Sequence, residues 1–152
     1  PENKKNDVDY LLDIMDWELN VTPNFKERFF LGPISIDNPM PDKYIEKWIV
    51  YGKVSGVEVF SAKELTVYPG AEVTLKDSGA YGLITVQGHG AINDIAVESP
   101  TLIRFGDLTN DEFFVPYPAA ARGVSVKNEG NEPLVMLKFF GPDCNPDMPD
   151  KK

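Results

Sequence analysis

Between Trp48 and Phe140 the chain runs through short β-rich segments, "WIVYGKV", "VEVFSAKELTV", "AEVTL", "YGLITVQ", "TLIRF", "EFFVP", "GVSVKN" and "PLVMLKFF", separated by Gly, Pro, Asn and Asp. Strands of this length at fairly regular spacing indicate a β-sandwich or barrel. No long segment of helical period interrupts them, which argues against a parallel sheet with crossover helices. The expected fold class is therefore all-β.

The residues before Trp48 follow another pattern. Val8, Leu11, Leu12 and Met15 fall at i, i+3, i+4 and i+7, which predicts a short helix over about residues 7–17, capped by Asn6 or Asp7. "TPNFKERFF" predicts a helical turn opened by Thr22 and Pro23, followed by an extended arm through Ile34 and Ile36 that wraps over the main body. The expected organisation is a helical segment and arm over 1–47 packing on a barrel over 48–140, and an irregular or frayed tail over 141–152, "GPDCNPDMPDKK".

Charge and cysteine content restrict the partners. A net charge of -9 argues against nucleic acid, which is bound by clustered Lys and Arg. The one cysteine, Cys144, excludes an internal disulfide, and its acidic, Pro-rich surroundings disfavour a thiolate nucleophile. There is neither a signal-like segment nor a long apolar run, so a cytoplasmic protein without a membrane partner is expected. The chain has no Ser-His-Asp set, phosphate loop or dinucleotide fingerprint.

Other groups have a bland reading beside a functional one. His89 lies between Gly88 and Gly90 and is read as a hairpin-turn residue. The acids of "NDEFF" and "NEGNEP" are read as solvated turns rather than an acid-base pair. Trp48, Tyr51, Tyr81, Phe113, Phe114 and Tyr117 could stack on a sugar, although in a small barrel most aromatics fill the interior. Arg104 and Arg122 could clamp an anion, although a lone Arg on a strand more often pairs with a neighbouring acid.

Two stretches, "PGAEVTLKDSGAYGLITVQGHGAI" and "IRFGDLTNDEFFVPYPAAARGVSVKNEGNEPLVML", resemble the paired motifs of the cupin superfamily. Their turn residues are Gly106-Asp107, Val115-Pro116 and Asn128-Glu129-Gly130, with Asn beside Gly suited to left-handed geometry. The resemblance implies a double-stranded β-helix, or jelly roll. It also implies that the family's metal-ligand places hold Thr74, Lys76, Ala80 and Val124, so no protein-bound metal is expected, and an ammonium at Lys76 would repel a cation.

A narrower resemblance joins "KKNDVDYLLDIMDW", residues 4–17, to a segment of the type I phosphomannose isomerases, with Lys4, Asp7, Leu11, Leu12, Asp16 and Trp17 matching. That resemblance implies the metal-free C-terminal cupin of a mannose-6-phosphate-isomerase-like protein. Zinc and most of the sugar-phosphate pocket would belong to an upstream cupin missing from a chain that opens at Pro1. The chain alone would be inactive, with no catalytic residue and no cofactor, structural or pocket-covering in role, and Lys4 would be the one position able to reach the pocket. The alternative is a stand-alone degenerate cupin that binds a small sugar or acid through Lys76, Tyr81 and Arg104. A homodimer formed through the arm is a further expected partnership.

Overall fold

The computed structural model describes residues 2–99, 101, 105–106 and 108–150. The chain forms two compact units, Pro1–Gly32 and Pro33–Lys152.

The first unit is helical. A 3-10 turn over Glu2–Lys4 precedes α1 (Val8–Asp13), α2 (Trp17–Asn20) and α3 (Phe25–Phe29). The helix expected over 7–17 stops early, at Asp13, and a second begins only at Trp17. Asp7 caps α1 by accepting from the Tyr10 N–H, and Asp16 caps α2 by accepting from the Leu19 N–H. A second aspartate capping from within the predicted helix is the reason for the break, because its side chain offers the backbone a helix start in place of a continuing turn. Val8, Leu11, Leu12 and Met15, the expected apolar face, are all exposed, at 42% or more.

The second unit is built of antiparallel strands: β1 (Ile34–Ser35), β2 (Tyr44–Val50), β3 (Ser61–Val67), β4 (Glu72–Leu75), β5 (Tyr81–Ile92), β6 (Ile95–Ser99), β7 (Glu112–Val115), β8 (Val124–Asn128) and β9 (Leu134–Phe140). Among the described residues the pairing runs β1-β2-β3-β9-β5-β8-β4, with β6 and β7 also pairing β5. Sequence-distant strands lie side by side, which is the jelly-roll arrangement expected from the sequence. Within the expected arm, Ile34–Ser35 pairs with Lys47–Trp48 as an edge strand.

β5 joins the two sheets. Its first half pairs β9 and β7, its second half pairs β6 and β8, and the register to β9 shifts between Thr85 and Gln87. A bulge of this kind turns a strand from one sheet into the other. Gly88, at φ 85, follows the bulge, and a Cβ on Gly90 would lie 2.0 Å from the Lys127 carbonyl oxygen. His89 therefore lies in a strand opposite Glu98 and not in a hairpin turn. Close approach of two backbones, rather than turn formation, is what requires Gly90.

Two further expectations are corrected. "VPYPAAARG" holds a helix, α4 (Tyr117–Arg122), where only turns and strands are predicted. Pro118 near its start, the alanine run and Gly123 at φ 115 after its end are sufficient local signals for so short an element. Asn128 is not left-handed but ends β8, where its side chain donates to the Val67 and Glu132 carbonyls and accepts from the Gly130 N–H. The tail is irregular, and within it Asn145 and Met148 are buried. The Asn145 N–H donates to Glu58 Oε2, and its Nδ2 donates to Ser61 Oγ.

The core lies between the sheets and includes Leu65, Val67, Val73, Tyr81, Leu83, Val97, Val124, Val126, Leu134, Met136 and Phe140. No helix among the described residues is long and apolar enough to cross a membrane.

Candidate functional site

One row of directly opposed residues crosses the inner face of the larger sheet: Trp48 on β2 pairs Lys63 on β3, and Lys63 pairs Lys138 on β9. Residues directly opposite in an antiparallel sheet project to the same face, and like charges so placed repel. Asp77 relieves the repulsion. Its Oδ1 accepts from Lys63 Nζ at 3.0 Å and its Oδ2 from Lys138 Nζ at 2.8 Å. The aspartate is set by its own backbone, whose N–H donates to the Ala120 carbonyl of α4 at 3.2 Å. Glu46, two residues before Trp48 and on the same side of β2, brings Oε1 within 2.5 Å of Lys138 Nζ, a charge contact without hydrogen-bond geometry.

The cluster is in the interior. Lys138 is 1% exposed, Asp77 6% and Glu46 9%, so each charge depends on its neighbours for the solvation that water would supply. Two ammonium groups and two carboxylates balance to zero. Burial alone would raise the Asp77 pKa, but the Lys138 and Lys63 charges and their hydrogen bonds outweigh it and hold the carboxyl below its ordinary value. Burial works against charge on Lys138 too, and there Glu46 and Asp77 prevail, raising it. The Tyr81 hydroxyl is pushed up to about 12, first by burial, with the Lys138 charge opposing and Asp77 and Glu46 assisting. The rings complete the packing: Lys63 Nζ lies 4.8 Å from the Trp48 ring centroid and Lys138 Nζ 5.4 Å from that of Tyr81.

A cation in the barrel would have to be held by these inward groups, and they do not suit one. Both Asp77 oxygens are already engaged by ammonium groups, and no group of three or more His, Cys, Asp or Glu side chains that could hold a metal occurs among the described residues. The fixed charge of Lys138 would repel an incoming ion. Of the residues that the cupin resemblance puts at the ligand places, Thr74 and Lys76 are exposed and Ala80 is half-buried, while Val124 is in the core. Beside the first three of these places, the inward positions belong to Val73, Asp77 and Tyr81.

Beside the cluster is a cleft of about 360 Å3, whose walls include Ser35, Trp48, Lys63, Lys76, Asn145 and Asp147. Of the binding residues expected from the sequence, Lys76 lines this cleft. Tyr81 is 3% exposed in the core. Lys4 belongs to the helical unit, where its Nζ donates to Asp7 Oδ2 at 2.6 Å. Arg104 lies outside the described residues. Arg122 is exposed on the last turn of α4. Among the aromatics, Trp48 and Tyr81 are buried, Tyr51 and Phe113 half-buried, and Phe114 and Tyr117 exposed.

Lys138, Asp77, Glu46 and Lys63 were not singled out from the sequence, although a signal exists. Leu134, Met136, Lys138 and Phe140 recur every second residue and all face inward, so the alternation alone places a lysine in the core. What alternation cannot supply is the counter-ion, which comes from a loop 61 residues away in sequence.

Strand pairing and core define an antiparallel jelly roll whose interior holds an ion-pair cluster. No family model and no curated protein sequence matches the chain. Solved structures similar to it include a cupin-2 domain protein from Rhodospirillum rubrum, with TM-score 0.49, 12% identity, and 80% of this chain and 75% of that one covered. A cupin 2 domain-containing protein from Halorhodospira halophila gives 0.47, 18%, 77% and 74%. Oxalate decarboxylase from Bacillus subtilis gives 0.46 and 19%, with 73% of this chain but only 27% of the decarboxylase covered. At such identities and TM-scores these likenesses carry nothing about activity.

Proposed function

We propose that this chain is a metal-free cupin-type domain with a structural, pocket-covering role beside a sugar-phosphate isomerase domain, in a protein resembling the type I phosphomannose isomerases. The observation that supports a non-catalytic role is the neutral cluster of Lys138, Asp77, Glu46 and Lys63. Both of its carboxylates are paired with ammonium groups, so neither is free to act as a base. The partner-domain role draws on the match of residues 4–17, and its acidic members have a structural reason to be there, since Asp7 and Asp16 cap α1 and α2. It draws as well on the exposed apolar side chains of the helical unit, among them Val8, Met15 and Trp17, which a neighbouring body would cover.

The test is to load the purified chain with excess zinc, dialyse it, measure bound metal by mass spectrometry, and assay interconversion of mannose 6-phosphate and fructose 6-phosphate. Substoichiometric zinc and no turnover are expected. One tightly held zinc per chain accompanied by turnover would overturn the reading.

A further inference from the structure

The cleft beside the cluster has a charge arrangement that the non-catalytic reading leaves unused. Lys63 and Asp77 both line it, but they are committed to each other at 3.0 Å. Lys76 and Asp147 also line it, and neither has an ion-pair partner among the described residues. The cleft therefore presents one uncommitted ammonium and one uncommitted carboxylate. Ser35 and Ser78 add hydroxyls and Trp48 an apolar wall. Its volume of about 360 Å3 is at the small end of the range for small-molecule pockets, roughly 300–1,000 Å3.

We propose that this cleft binds a small hydroxy-carboxylate of the uronic-acid class, its carboxylate on Lys76 and its hydroxyls on Asp147 and the two serines. A carboxylate matches a single ammonium in charge and accepts from it. Asp147 can only accept hydrogen bonds when ionised, so it requires a donor such as a sugar hydroxyl. A phosphate dianion fits less well: it would bring two charges to one free ammonium, beside the Asp77 and Asp147 carboxylates and in a chain already at net charge -9. The site needs no metal and no reaction, so it goes beyond the structural role and does not depend on it.

The probe is D-glucuronate, titrated into the isotopically labelled chain and followed by amide chemical shifts. Saturable shifts at Ser78 and Asn145 are expected. Lys76 is exposed, so Lys76→Met should fold as the parent does, and it should weaken binding about tenfold, the loss of one charge-assisted hydrogen bond. Lys76→Arg should restore most of it. Glucose, which lacks the carboxylate, and glucose 6-phosphate should each bind about tenfold more weakly than glucuronate. No saturable shift with glucuronate, or shifts unchanged in Lys76→Met, would overturn the site. Equal or tighter binding of glucose 6-phosphate would overturn the ligand class.

Discussion

Lys138 is a charge that the fold can hold only in company. Its ammonium touches Asp77 at 2.8 Å and Glu46 at 2.5 Å, and removing it would leave two carboxylates buried with only Lys63 beside them. Lys138→Met is therefore expected to cost about 3–5 kcal/mol, the range for breaking a buried pair from one side. Adding Glu46→Gln to that variant should recover more than half of the loss, because Asp77 then remains paired with Lys63 and no unpaired charge is left inside. Urea unfolding of the single and double variants measures both, and a double variant no more stable than the single one would contradict the account. The same groups set the pH response. Asp77 is lowered, so its contribution is present above the unfolded carboxyl value of about 3.9 and lost as pH falls through the lower folded value. Lys138 is raised, so its contribution is complete below about 10.4 and lost as pH rises through the folded value. Tyr81, at about 12 in the folded chain, acts in the same direction as pH climbs above the unfolded value of about 10. The cluster should thus leave stability level from about pH 5 to 9.5, with losses only outside that window. Absorbance titration at the tyrosinate band, compared with Tyr81→Phe, should show the missing phenol ionising near 12.

At the scale of elements, β5 decides how the two sheets meet, and its glycines differ in what they do. Gly90 faces the Lys127 carbonyl so closely that a Cβ would fall 2.0 Å from its oxygen, whereas a Cβ on Gly82 would meet nothing within 4 Å. Gly90→Ala should force β5 and β8 apart and cost about 1–3 kcal/mol, as overpacking does. Gly82→Ala should change stability by no more than about 0.5 kcal/mol. Thermal unfolding of the two variants side by side checks the contrast, and equal effects would mean that the approach at Gly90 is relaxed cheaply. The succession of short strands was legible in the sequence because alternation and turn residues are local signals. The Gly88 and Gly90 roles were not, since the same residue serves a turn or a close approach and only the distant Lys127 backbone distinguishes them. α4 was missed because six residues are too few for a helical period to be seen against strands. Which of the ligand places face inward was not legible for a related reason: motif spacing fixes neighbourhood, whereas the face of each side chain follows from pairing, here Thr74 opposite Ser125 and Val73 opposite Val126.

At the scale of the jelly-roll unit, the C-terminal segment closes what the strands leave open. Composition alone suggests an irregular or frayed end, with prolines and aspartates and little to bury. Two side chains suffice to hold it in place: Met148 is 6% exposed, and Asn145 is held by Glu58 and Ser61 in a buried hydrogen-bonded group. Cys144 packs so tightly over Gly79 that a Cβ there would lie 2.6 Å from its sulfur, which explains a glycine of ordinary φ at that position. Because Asn145 and Asp147 also line the cleft, the segment has both a stabilising and a binding consequence, and the two can be separated. Deleting residues 142–152 should lower stability by about 3 kcal/mol or more, from the loss of Met148 burial and of the Asn145 bonds, and should abolish glucuronate binding. Asp147→Asn, at an exposed position with no ion pair among the described residues, should leave stability within about 0.5 kcal/mol while weakening glucuronate. If the deletion leaves the urea midpoint unchanged, the segment is not part of the folded unit, and the wall it gives the cleft is lost with it.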